Sequence, residues 1–179
     1  MPDGFEHRDE FISVVEEASL VDELGGLEFA NFEMRGVIAR RRVAFFGASY
    51  DQGSAPTLPL PAFLLPMRER LAAWAGSKPD AFAMALINEY REGAPIGWHR
   101  DAPQYDFVAG ISLLSPARMR FRKYVAPSIG AGTRRVATHE LTLLPRSAYL
   151  MRGPSRSEYE HSIPAVTELR YSITFRTLR

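Results

Sequence analysis

Two histidines, one aspartate and a pair of arginines have the types and spacing to do chemistry in this chain. His99 and Asp101 lie two apart in Trp98-His99-Arg100-Asp101, so an extended chain projects them to the same side. His161, in Glu158-Tyr-Glu-His161-Ser-Ile-Pro164, can add a second imidazole. Two imidazoles and one carboxylate suit Fe(II), because they fill one face and leave positions open for oxygen and a co-substrate. The chain has no cysteine, which excludes disulfides and thiolate sites, so any metal must take N and O ligands. Taken alone, His-x-Asp reads as a polar surface turn and a lone histidine as a packing residue. Gly97-Trp98 before the pair and a β-rich segment after it place it at a strand end near a core. His7 and His139 are poorer candidates: one falls in a terminus expected to be mobile, the other in mid-strand.

Near the C-terminus Leu169, Tyr171, Ile173 and Phe175 alternate with Arg170, Ser172, Thr174 and Arg176, which predicts a strand with one apolar and one polar face. Six residues separate Arg170 from Arg176, or roughly 20 Å between Cα atoms. Two arginine arms reaching toward each other leave a gap close to the length of a five-carbon dicarboxylate. A solvated strand face with charged ends accounts for the same pattern.

These residues need elements to position them. Apolar residues at 11, 12, 14, 15, 18, 20, 21 and 24 predict a helix over Asp9–Leu24, closed by Gly25-Gly26. Residues 27 to 58 read as short strands and turns, with Arg40, Arg41 and Arg42 preceding Val43-Ala-Phe-Phe46 and an extended proline-rich end. A second helix is expected over Ala62–Ala75 with Gly76 just past it, kinked at Pro66 or beginning there. Then come strands over 83–90, 107–114, 118–125, 133–144, 148–152 and 169–177. Two helices followed by strands point to an α+β chain, the helices buttressing one sheet of a jelly roll. No boundary divides the chain, so one domain over 1–179 is expected, with 27–58 as a substrate lid and 81–178 as the jelly-roll core.

Composition fits a globular protein of 179 residues, 46% apolar and 24% charged. No apolar run reaches the roughly 18 residues of a membrane helix, and the N-terminus lacks a signal-peptide layout. The expectation is a cytoplasmic protein with no membrane and no obligate protein partner. A net charge of +1 argues against a strongly basic nucleic-acid surface. Lys78 and Lys123 are the only lysines among 22 basic residues. That arginine bias suits oxyanion handling, and codon usage explains it as well. Arg118, Arg120 and Arg122 alternate along a predicted strand, giving either an exposed sheet face or a phosphate track.

Asn88-Glu89-Tyr90, then His99-Arg100-Asp101, then His161, then Arg170 and Arg176 ending in Thr174-Phe175-Arg176 resembles the AlkB-type Fe(II)- and 2-oxoglutarate-dependent dioxygenases. The resemblance covers about residues 84 to 178, and more loosely 30 to 50. It implies a double-stranded β-helix, a jelly-roll variant, that uses Fe(II), 2-oxoglutarate and O2 to remove alkyl groups, usually from nucleobases in DNA or RNA. By that similarity His99, Asp101 and His161 hold iron. Arg170, with Asn88 and Tyr90, binds the distal carboxylate of 2-oxoglutarate, and Arg176 sits at the end near the metal. An aromatic in the substrate lid stacks on the flipped base, for which Tyr50 or Phe46 is the nearest candidate, with Arg40, Arg41 and Arg42 contacting phosphate.

Two departures stand out. Ser172 replaces an asparagine between the arginines, a mild change because serine still hydrogen-bonds. Pro103 replaces an acidic base contact two places past the metal aspartate, which puts the familiar methyl-adenine and methyl-cytosine specificity in question. Two rivals remain open: the same chemistry on a protein, RNA or small-molecule substrate, and a silent jelly-roll binding module.

Overall fold

The structure is a computed structural model that describes residues 1–34, 37–48, 58–126 and 136–179. Eleven strands are described: β1 (Phe5–Arg8), β2 (Ala30–Met34), β3 (Val37–Gly47), β4 (Met84–Tyr90), β5 (Ile96–His99), β6 (Tyr105–Leu113), β7 (Ala117–Lys123), β8 (Thr138–Leu143), β9 (Ala148–Met151), β10 (Tyr159–Ile163) and β11 (Arg170–Leu178). The helices are α1 (Val14–Gly25), α2 (Leu65–Ala75) and the single turn α3 (Pro154–Ser157). None of them is long and apolar enough to cross a membrane.

The strands form two antiparallel sheets, a seven-stranded one in the order β1-β9-β6-β11-β4-β3-β2 and a four-stranded one in the order β5-β10-β7-β8. This is a double-stranded β-helix core buttressed by the N-terminal helices. Side-chain alternation explains the layering. On the helix side of the large sheet, Ala44 and Phe46 (β3), Ile87 (β4), Ile111 (β6) and Ile173 and Phe175 (β11) pack against Leu20 and Leu24 of α1 and Leu71 and Ala75 of α2. On the inner side Val108, Tyr149 and Met151 meet Met119, Phe121 and Leu143 of the small sheet. Tyr90 closes a further cluster with Ala117 and Ile163.

Local chemistry sets the helix ends. Ser13 and Glu16 form a reciprocal capping box, so α1 starts at Val14 and not at Asp9. A 3-10 turn over Ala62–Leu64 leads into α2, and Pro66 sits in the first turn of α2, where its missing N–H costs nothing. Gly76 ends α2 in the left-handed region at φ 66°.

Several expectations need correction. The N-terminus is no mobile arm: residues 5–8 are β1, paired with β9, and His7 stands opposite Tyr149. β10 was not anticipated, although it carries His161, whereas β5 ends at His99, where a strand end was expected. β5 is four residues long and contains a glycine, and β10 begins in a charged stretch. The polar face of β11 is not solvated, because Arg170, Ser172, Thr174 and Arg176 are all buried between the sheets. The segment expected as a lid contributes a hairpin, β2–β3, that extends the large sheet at its edge. Residues 49–57, including Tyr50, and residues 133–135 lie outside the described residues.

Candidate active site

His99 is the last residue of β5, and His161 lies opposite it in β10. Their ring centroids are 4.2 Å apart. Asp101 follows two residues after His99, and one potential ligand atom from each of the three falls within 4.8 Å of the others. The Nδ1 of His99 lies 2.9 Å from the carbonyl oxygen of Gly97. A carbonyl only accepts, so Nδ1 carries the proton and Nε2 is left as the electron-pair donor.

The electrostatics suit a cation that is not itself a proton. Burial lowers His161 to about 3, and the neighbouring His99 adds to the effect. Burial likewise lowers His99, against the opposing pull of Asp101. Both imidazoles are therefore neutral near pH 7, and the 3.7 Å approach of His161 Nε2 to Asp101 Oδ2 is not an ion pair. Burial alone would raise Asp101, but Arg176, His161 and His99 outweigh it and hold the carboxyl well below the usual carboxylate range. Arg176 donates from Nε at 3.1 Å and from Nη2 at 2.7 Å, both to Oδ1. Oδ2 is buried and, among the described residues, accepts no hydrogen bond. A buried carboxylate oxygen aimed at two neutral imidazoles is the donor set a divalent metal completes.

The second half of the site lies along β11. Arg170 is fully buried, with its Nε donating to Ser112 Oγ at 3.2 Å and the Tyr90 ring 5.0 Å from its guanidinium. Burial lowers its affinity for the proton, with Tyr90 and Tyr149 partly offsetting this. Both terminal nitrogens are buried without a hydrogen-bond partner among the described residues. An unpaired buried guanidinium is costly, and a bidentate carboxylate ligand would relieve it. Arg176 makes its third bond from Nη1 to Thr174 Oγ1 at 3.0 Å. Ser172 lies beside Asn88 on one flank and Ser112 on the other. Among the described residues of the cleft, Arg41, Arg170 and Arg176 outnumber the acid Asp101, so the cleft fits a dianion such as 2-oxoglutarate.

The remaining candidates separate. Asn88 is buried and accepts from Arg41 Nε at 3.1 Å. Arg41 thus points inward, whereas Arg42 binds Glu89 through two contacts of 2.9 and 2.8 Å on the helix side. Arg40 is exposed and reaches the Gly93 carbonyl. Phe46, proposed as a stacking face, is packed against the helices because it sits one residue out of phase with the inner face. Phe45, next to it, is the ring that faces inward. The arginines of β7 are also committed: Arg118 to Glu140, Arg122 to Glu160, and Arg120 to Ser162. Arg120 and Arg122 both lie over Trp98.

Sequence reasoning missed four contributors. Ser112 holds Arg170. Arg156 donates to the carbonyls of Ala102 and Tyr105 and so pins the loop that follows Asp101. Tyr149 stands in the cleft, its hydroxyl pushed up to about 12 by burial. Gly110 makes room for it, since a Cβ there would overlap the Tyr149 ring. The signal for the last pair was present: a glycine within a strand marks a close approach.

Known proteins agree with this geometry. The sequence pattern of the 2OG-Fe(II) oxygenase superfamily matches residues 45–176. The chain is 26% identical over 175 residues to the Arabidopsis thaliana protein described as alkylated DNA repair protein ALKBH8 homolog, covering 87% of this chain and 49% of that one. It therefore spans about half the length of this relative. Among solved structures, OsALKBH1 superposes with a TM-score of 0.64 at 14% identity, covering 97% of this chain and 98% of that one. A Pseudomonas putida prolyl-4-hydroxylase superposes with a TM-score of 0.63 at 15% identity, covering 98% and 93%. At such identities these structures speak for the fold alone. The sequence match over most of the chain, on a cleft that brings together two imidazoles, a carboxylate and buried arginines, makes this protein a member of the 2OG-Fe(II) oxygenase superfamily.

Proposed function

We propose that the chain is an oxidative dealkylase of N-alkylated nucleobases in DNA or RNA. The observation that carries this reading is the sequence likeness to a relative described as an alkylated DNA repair protein. The inner face of β3 supports it, because it presents a cation and an aromatic ring beside the cleft.

In this reading His99, Asp101 and His161 hold Fe(II), with His99 supplying Nε2 and Asp101 supplying Oδ2. Arg170, with Asn88 and Tyr90 at its side, takes the distal carboxylate of 2-oxoglutarate. Ser172 lines the space between the two arginines. Arg176 orients Asp101 by donating two hydrogen bonds to Oδ1, which leaves Oδ2 for the metal. When bound, iron and 2-oxoglutarate use O2 to hydroxylate a C–H of the alkyl group, releasing succinate and CO2, and a hydroxymethyl on nitrogen then leaves as formaldehyde. The protein's task is to keep the imidazoles unprotonated, orient the co-substrate and exclude bulk water. A base in a polynucleotide must be flipped out or already single-stranded to reach the cleft.

Pro103 favours a second reading, in which the same chemistry acts on a protein or small molecule, because the exposed proline ring offers a base no hydrogen bond. Formaldehyde and succinate release from methylated DNA and RNA oligonucleotides, beside methylated peptides and small amines, separates the two. Formaldehyde from an oligonucleotide is the expected result. Turnover confined to peptides or small amines would move the substrate out of nucleic acid.

A further inference from the structure

β3 lies toward the edge of the large sheet, and its alternation decides which side chains meet a substrate there. Arg41, Val43 and Phe45 share the inner face, while Ala44 and Phe46 share the helix side. Phe45 is 44% exposed although it is paired within the sheet opposite Leu86. A large ring left open on a strand that borders a catalytic cleft is available for stacking.

Arg41 differs from a surface arginine in every respect. It is buried, held by Asn88, and stacked 4.4 Å from the centroid of the Phe32 ring. That stacking fixes the plane of the guanidinium and so the direction of its donors. Among the described residues no carboxylate pairs with it, and the inner faces of β3 and β4 carry no acid. It is also close to the metal ligands, near enough for its charge to act on His99.

An arginine donates and never accepts. It suits a base with carbonyls flanking the alkylated nitrogen. Thymine and uracil have two, guanine and cytosine have one beside an exocyclic amine, and adenine has none, so the donor alone separates adenine from the rest. Charge points the same way. Adenine alkylated at N1 and cytosine alkylated at N3 are cations at neutral pH, whereas guanine alkylated at N1 and thymine or uracil alkylated at N3 are neutral. A buried cation without a counter-ion disfavours the former pair. Gln104, whose Oε1 is buried without a partner, decides nothing here, because an amide can present either edge.

Building on the dealkylase reading above, we propose that Arg41 and Phe45 form the base-recognition pair, Phe45 stacking on the base and Arg41 donating to a ring carbonyl. The site then prefers the neutral N-alkylated oxo-bases (thymine, uracil and guanine) to the N-alkylated amino-bases that are cations (adenine and cytosine).

The test is formaldehyde release from five single-stranded oligonucleotides carrying 3-methylthymine, 3-methyluracil, 1-methylguanine, 1-methyladenine or 3-methylcytosine. The iron-loaded enzyme with 2-oxoglutarate should favour the first three in kcat/KM by about 10- to 100-fold, the discrimination expected of one well-placed polar pair. Arg41→Gln should collapse that ratio toward one, and Arg41→Lys should keep part of it. Phe45→Ala should raise KM for all five alike and leave the ratio unchanged. The ratio is internal to each enzyme, so a weakened hold on 2-oxoglutarate through Asn88 does not move it. A wild-type preference for the amino-bases, or a ratio that survives Arg41→Gln, overturns the recognition pair and leaves the dealkylase reading standing. Formaldehyde from none of the five sinks the dealkylase reading and this inference together. The wild-type ratio needs no variant, so a misfolded Arg41→Gln protein leaves that arm decisive.

Discussion

At the scale of single residues, the cleft is a place where protonation and charge are arranged for ligands not made of protein. Arg170 shows this most directly, with two buried terminal nitrogens and no hydrogen-bond partner for either among the described residues. Arg170→Met keeps the volume and removes the donors. Leaving the carboxylate of 2-oxoglutarate without its partner costs about 3–5 kcal/mol, or roughly two to four decades in affinity. The KM for 2-oxoglutarate should rise steeply, and saturation unchanged from wild type would remove Arg170 from the binding role. His161 supplies a pH prediction. Its folded value of about 3 lies below its ordinary 6.5, so the unfolded chain takes the proton more readily. Stability is thus full above about pH 6.5 and is lost progressively as the pH falls toward 3. In metal-free protein His161 alone should cost roughly 2 kcal/mol between pH 7 and pH 5, read from urea unfolding, and His161→Asn should flatten that dependence. The candidate metal set was legible in the sequence only jointly, because His-x-Asp and a lone histidine are each weak and become specific in order with Asn88, Tyr90, Arg170 and Arg176. What was not legible was the role of Arg41, Arg42 and Phe46, since one residue of phase decides whether a strand side chain faces cleft or helix.

Among the elements, β11 is the axis of the site, paired with β4 on one side and β6 on the other. Its alternation was readable, yet its polar face looked like a solvent face until the small sheet covered it. Alternation reports that two faces differ, not that either meets water. The same limit hid β10 and the extent of β5, which are short and polar and are held as strands by their pairing, β10 with both β5 and β7. The helices were easier, since Ser13-x-x-Glu16 and Gly76 mark ends chemically. The close approach of β6 and β9 gives a test at this scale. Gly110→Ala places a methyl group against the Tyr149 ring and should cost about 1–3 kcal/mol as overpacking. Adding Tyr149→Ala should recover the part of the loss due to the clash, measured as a double-mutant cycle in urea midpoints. Strictly additive losses would show that the ring is free to move aside.

For the molecule as a whole, the order of the large sheet makes the first strand in sequence its far edge. β1 shields β9, and Phe5 packs on Phe121 at 5.0 Å and on Tyr149 at 6.2 Å. Removing residues 1–8 should lower stability by about 3 kcal/mol or more, the cost of a lost buried phenylalanine, and should leave β9 as a bare edge prone to association. Urea midpoints and light scattering would show both effects, and an unchanged midpoint would mean that β1 is dispensable. Next to the opposite edge, beside β2, β3 has a different consequence. Its helix-side residues are locked into the core, while Arg41 and Phe45 border the cleft. One strand therefore carries two kinds of constraint. Changes at positions 44 and 46 endanger the fold, whereas changes at 41 and 45 leave the helix-side packing alone and bear on what enters the cleft. A lineage could acquire a new substrate by altering alternate residues of a single strand, with the oxidative machinery inherited intact.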